Sequence, residues 1–205
     1  MKIPKRPTKK QLREIVECYA SVLPGWKCVR GDRLVRFCGP IAQQIGFEVL
    51  TSGAYRPMAG IRALPLPSVR MLPQFLVKHQ AALLREHATY WRGMAVAMEQ
   101  QFQPPIRKPI DLREVLELCQ KEARESREST NDLCMLAILH AYLGEKDAAI
   151  ACCDRMQLVN PPDLAPRLDW EERHKEFGRQ LRKAIVAGEE RLFLDTAAAT
   201  AEELT

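Results

Sequence analysis

Three prolines within six residues, Pro104, Pro105 and Pro109, divide a chain whose apolar residues recur in two different ways. Proline fixes φ, removes a backbone donor and favours extended chain, so residues 104–110 read as a stiff proline-rich linker. Upstream, alternation with a period of two is mixed with helical spacing, whereas downstream only helical spacing occurs. The pattern predicts an α+β protein: residues 1–103 form a domain with a small antiparallel sheet and helices, and residues 111–205 form an all-helical domain. With 205 residues the chain is long enough for one sizeable core or two small ones.

In the first half, Leu12, Ile15, Val16, Tyr19, Val22 and Leu23 share one helical face, and Pro24 and Gly25 stop that helix. Val35 and Phe37 then alternate with Arg36. After Gly39 and Pro40, the residues Ile41, Gln43, Ile45, Phe47 and Val49 alternate with Ala42, Gln44, Gly46 and Glu48. Two such runs around a tight turn predict a hairpin whose second strand is half-buried. A third strand over residues 59–66 is expected at a sheet edge, because Pro57, Pro65 and Pro67 cannot donate to a central ladder. Pro73 is expected to open a helix with Phe75, Leu76, His79, Leu83 and Leu84 on one face. Residues 90–102 continue the helical pattern through Trp91, Met94, Ala95, Met98 and Phe102, with a break expected at Gly93.

The second half begins with Asp111 and Glu114 placed as in a capping box, followed by the stripe Leu112, Val115, Leu116 and Cys119. Further helices are predicted over residues 131–143, 146–159 and 169–187, with Gly144, Asn160 to Pro162 and Gly188 as stops. Within this region Leu136 and Ala137, Gly144, Ala149 and Ile150, and Pro161 stand at the positions of a helix, a turn, a second helix and a terminator. The segment from Leu136 to Pro161 thus resembles a single tetratricopeptide repeat, and the resemblance implies a helix–turn–helix layer of the kind that stacks into a peptide-binding groove. It departs from that pattern at His140, Cys153 and Met156, and no second copy follows at the usual period. The order of helix, hairpin and strand over residues 11–66 resembles the layout of small bacterial α+β proteins, among them toxin-immunity proteins.

Charge is distributed unevenly. Residues 1–108 carry 18 Lys and Arg against 6 Asp and Glu, and residues 109–205 carry 13 against 20, so the halves hold +12 and −7. A basic half of this kind attracts acidic proteins or nucleic acid. The seven cysteines include no C-x-x-C pair, which suits reduced core thiols and a cytoplasmic protein. No apolar run approaches the roughly 18 residues needed to cross a bilayer, and no apolar segment follows the basic start, so neither membrane insertion nor a secretory signal is expected.

No phosphate-binding loop, dinucleotide fingerprint, nucleophile elbow or H-E-x-x-H pair occurs. His79, His87, His140 and His174 are read as locally satisfied, and Cys38 as a core thiol. No catalytic, cofactor-binding or metal-ligating residue is therefore assigned, and no cofactor is expected. The expectation is a non-enzymatic protein-binding protein, an immunity or adaptor protein, that engages an acidic protein partner such as a toxin. Trp26, Arg33, Arg36, Tyr55, Arg56 and Arg62 are its candidate anchors, because Trp, Tyr and Arg dominate binding hot spots. Nucleic-acid association through the basic half is the second reading, with Lys2, Lys5, Arg6, Lys9, Lys10 and Arg13 as a basic arm and Arg30, Arg33, Arg36, Arg56, Arg62 and Arg70 adding charge around the predicted sheet, and an enzyme with an unfamiliar site is the third. Oligomeric state is left open by the sequence.

Overall fold

The computed structural model describes residues 6–65, 72–76, 80–125, 129–159 and 169–203. The fold is α+β, with an antiparallel sheet in the N-terminal half and, among the described residues from Leu112 onward, helices alone. The chain divides into two compact units. Met1–Phe37, Ala42–Ile61 and Met71–Ile110 make the first, and Cys38–Ile41, Arg62–Arg70 and Asp111–Thr205 make the second.

In the first unit, α1 (Lys9–Ala20) starts at a reciprocal cap, Gln11 N–H donating to Thr8 Oγ1 and Thr8 N–H to Gln11 Oε1. The strands β1 (Lys27–Val29), β2 (Arg33–Cys38), β3 (Ile41–Val49), β4 (Ala54–Ala63) and β5 (Leu72–Phe75) lie in that order, and β6 (Ala82–Leu83) also pairs with β4. After a 3₁₀ turn at Leu84–Glu86 comes α2 (His87–Gln101). Leu34, Ile45, Tyr55 and Ala59 of the sheet share one core with Ile15, Val16 and Tyr19 of α1 and Trp91, Met94 and Met98 of α2.

Four expectations for this half are corrected. The strand expected at an edge, β4, has β3 on one side and both β5 and β6 on the other. Met58 faces Phe75 and Ile61 faces Leu72 in β5, while Ala54 faces Leu83 and Tyr55 faces Ala82 in β6. The register slips between these two pairings, and Pro57 stands at the slip. Alternate residues of a strand direct their backbone groups to opposite edges. Ala54 O accepts from Leu50 N–H on the β3 side, so Pro57 faces the outer edge, where its carbonyl accepts from Leu76 N–H and its missing donor falls in the gap. The helix expected from Pro73 is instead β5 and β6: a short apolar run fits either period, and the free edge of β4 supplies the backbone partners that decide between them. Finally, β3 is not half-buried, since all six residues from Ile41 to Gly46 are buried and only its last three are partly exposed. Gly93 does not break α2, and His79 lies outside the described residues.

The second unit contains α3 (Leu112–Glu125), α4 (Thr130–Tyr142), α5 (Lys146–Leu158), α6 (Asp169–Ala187) and α7 (Glu190–Glu203). Ser129 and Asp132 cap α4 reciprocally. Every residue of α4 from Leu133 to Ala141 is buried, because α3, α5, α6 and α7 all pack against it. A helix apolar all round can only be central. The connection from α4 to α5 is short and passes through Gly144 at φ +80°, and Ala137 and Ala149 are fully buried. Pro161, the proposed terminator, lies outside the described residues. No described helix is long and apolar enough to cross a membrane.

Candidate functional site

The candidate anchors do not form one exposed patch. Trp26 is buried, and its Nε1–H donates to Ile106 O at 2.8 Å. Arg36 donates from its guanidinium to Gln43 Oε1 at 2.7 Å, Pro105 O at 2.6 Å and Lys108 O at 2.5 Å, with its charge 5.0 Å above the Trp26 ring. Gln43, only 1% exposed, donates in turn to Pro104 O at 2.7 Å. Gln74 exchanges hydrogen bonds with the backbone of Gln103. These contacts hold the proline-rich segment, through residue 108, against the rest of the first unit. Pro104 and Pro105 cannot donate, so the segment offers carbonyls, and side chains of β2, β3, β5 and the loop before β1 supply the donors. Trp26 and Arg36 thus hold the chain together internally.

Tyr55 is also fully buried and is not available as an anchor. Arg56 pairs with Glu48 at 2.5 Å and stacks its guanidinium 4.6 Å from the Phe75 ring centre. Arg62, at the end of β4, is half-buried in the second unit. Arg33 alone of the set stands at a surface rich in like charge, beside Asp32 at 2.6 Å, which its guanidinium holds below the usual carboxylate range.

That surface is a corner of the first unit. Residues 6–33 carry seven Lys and Arg against three Asp and Glu. Lys9 and Lys10 each lie one turn before Arg13 at the start of α1, and all three are exposed. The aliphatic stem of Arg13 lies over Gly31, so this helix end stands beside the β1–β2 turn with its Arg30. Asp32 N–H donates to Val29 O across that turn, and both central residues are left-handed, Arg30 at φ +53° and Gly31 at φ +72°. Such a turn favours Asn-Gly or Gly-Gly. An exposed arginine there costs about 1 kcal/mol of backbone strain relative to glycine.

A second concavity in the same unit is a groove of about 390 Å³ between α2 and the residues before β6. Glu86, the residue before α2, and Tyr90, Gly93, Met94 and Ala97 of the helix line one side, and Gln80, Ala81 and Ala82 the other. The repeat of three and four residues puts the helical set on one face. A Cβ added at Gly93 would meet nothing within 4 Å, yet glycine inside a helix costs about 1 kcal/mol relative to alanine.

Neither a family model, nor a curated protein, nor a solved structure matches this chain. The functional reading therefore rests on the geometry alone.

Other titratable groups are occupied in the packing. Tyr55 OH is 2.6 Å from Nδ1 of His87, whose ring stacks on Trp91, and Tyr19 packs edge-on to the same indole. Burial, followed by the neighbouring Tyr55, pushes the Tyr19 phenol far up. His174 is fully buried with Thr130 Oγ1 3.3 Å from Nδ1, and His140 Nδ1 lies 2.5 Å from Glu145 Oε2. Cys119, Cys134, Cys152 and Cys153 are buried in the second unit, and burial pushes the Cys119 and Cys153 thiols up to about 12. Cys18 and Cys38 are partly buried and Cys28 is exposed.

Sequence reasoning placed Arg13 and Arg30 among the basic residues but not among the anchors. The visible signal was Arg30-Gly31 where Asn-Gly is usual. The groove was missed because Gly93 was read as a break instead of as an open place on a continuous helix.

Proposed function

We propose that this chain is a non-catalytic binding protein, an immunity or adaptor protein, whose basic corner docks an acidic protein partner. The observation that carries the reading is Arg30: an exposed charge held in a left-handed turn, where an uncharged residue would cost less, beside the cationic start of α1. Backbone strain kept at an exposed side chain points to a use for that side chain. Tyr19, Trp26 and Tyr55 are all turned into the core, so the described corner offers charge without an aromatic stacking surface. That combination favours carboxylates, which guanidinium groups bind bidentately, over unpaired bases, which need stacking. In this reading the α4–α5 pair is a tetratricopeptide-like layer, and the cytoplasm is the compartment.

Affinity capture from native lysate tests it, comparing the wild type with a K9E/R13E/R30E variant at graded salt. The expected result is one stoichiometric acidic protein, captured less as salt rises and lost in the variant. Recovery of nucleic acid in its place, with an equally steep salt dependence, would overturn the reading in favour of nucleic-acid association.

A further inference from the structure

We infer that the groove along α2 receives an arginine side chain presented by a protein partner. This goes beyond the basic corner and does not depend on it. Among the described residues lining the groove, Glu86 carries the only formal charge, so the complementary ligand is a cation. Leu83 N–H donates to Glu86 Oε2 at 3.2 Å, which holds one oxygen of the carboxylate and leaves Oε1 for a second partner. Among the described residues the cation that reaches Oε1 is Arg85, at 3.8 Å from a side chain 79% exposed, and so loose an exposed pair is readily exchanged for another.

Tyr90 stands one turn beyond Glu86 on the same face and is 55% exposed, which leaves its ring open to a guanidinium plane. Beyond it Gly93 and Ala97 keep the helix surface low, and Ala81, Ala82 and Met94 complete an apolar bed for the methylene stem. Arginine fits this sequence of surfaces better than lysine does, because its planar head can both pair with a carboxylate and stack on a ring. The missing Cβ of Gly93 is what leaves room for the stem, since alanine would be the better helix former and nothing in the first unit stands in its way.

The test is a two-dimensional NMR titration of the full chain with the peptide acetyl-Ala-Arg-Ala-amide, against the same peptide carrying citrulline, the neutral isostere. Saturable shifts at Ala81, Ala82, Tyr90 and Gly93 with a dissociation constant on the order of 1 mM are expected for the arginine peptide, and at least about tenfold weaker binding for citrulline. G93L fills the groove from an unobstructed position and should abolish the shifts while the melting temperature is retained. E86Q changes charge without changing shape and should weaken binding about fivefold or more. Absence of saturable shifts in the wild type up to about 50 mM peptide, equal binding of the citrulline peptide, or unchanged binding by folded G93L would overturn the proposal. Should G93L fail to fold, E86Q and the citrulline comparison decide the matter.

Discussion

The Tyr55 hydroxyl lies 2.6 Å from Nδ1 of His87, inside the aromatic core that α1, the sheet and α2 share. Burial raises the Tyr55 phenol to about 12, so the hydroxyl keeps its proton beside Nδ1. Nε2 is buried and makes no hydrogen bond among the described residues. A positive charge on this ring would find no acceptor at the buried Nε2, and burial accordingly holds His87 below its ordinary value. His174 is depressed in the same way, first by burial and then by Arg173.

The sign of the resulting pH dependence follows from linkage. Below about 6.5 the unfolded chain takes up protons on these histidines that the folded chain resists, so stability is full above that pH and falls as the pH drops through the window beneath it. Urea midpoints measured at pH 7.5 and 5.5 should show the loss, and substituting both histidines by glutamine should flatten the difference. A midpoint that stays constant between the two pH values in the native protein would show that neither ring resists protonation.

Arg30 gives a prediction in which stability and binding move in opposite directions. R30N places in the left-handed position of the β1–β2 turn a residue that tolerates it, and should stabilise the protein by about 0.5–1 kcal/mol in urea unfolding. The same change removes one charge from the basic corner and should slow association with an acidic partner. If R30N is less stable than the native protein, the turn is not strained and the argument from Arg30 loses its basis.

The carbonyls of the proline-rich segment make Arg36 the most consequential of its donors. R36M keeps a long apolar stem over Trp26 but leaves Pro105 O, Lys108 O and Gln43 Oε1 without that guanidinium. Charge-assisted bonds to partly buried groups make the expected cost about 2–3 kcal/mol. Limited proteolysis should cut R36M near residue 103 first. A change under about 0.5 kcal/mol would mean that the segment behaves as a linker after all.

Legibility differed between the halves for a physical reason. Helices predicted over residues 131–143, 146–159 and 169–187 are found as Thr130–Tyr142, Lys146–Leu158 and Asp169–Ala187, because the stops at Gly144 and Gly188 are local in the chain. The first hairpin was equally local. Strands β5 and β6 were not legible, since their state is decided by the edge of β4, whose nearest paired residue is eleven or more positions away in sequence. The anchors were chosen by residue type, and type does not report exposure: Trp26 and Tyr55 serve the core, while Arg36 and Arg56 are held in contacts within the first unit. Arg13 and Arg30 come together only through Gly31, a contact between a helix and a turn that no spacing in the sequence encodes.

Gly39 provides the most severe single substitution expected in the second unit. It is the first residue of the two-residue connection between β2 and β3 and has φ +53°, a conformation that this kind of turn requires and that alanine adopts at a cost of about 1 kcal/mol. The space its side chain would need is already filled by the ring of Tyr142, at the end of α4. That ring cannot simply withdraw, because the Arg191 guanidinium lies 3.5 Å from its centre on α7. G39A should therefore cost about 2–4 kcal/mol, combining backbone strain with overpacking. Y142A removes the obstruction and leaves only the backbone strain, so the cost of G39A in that background should fall to about 1 kcal/mol. A double-mutant cycle by urea denaturation measures the coupling. Additive effects of the two changes would show that the ring and the turn are not in contact, and would attribute the requirement for glycine to φ alone.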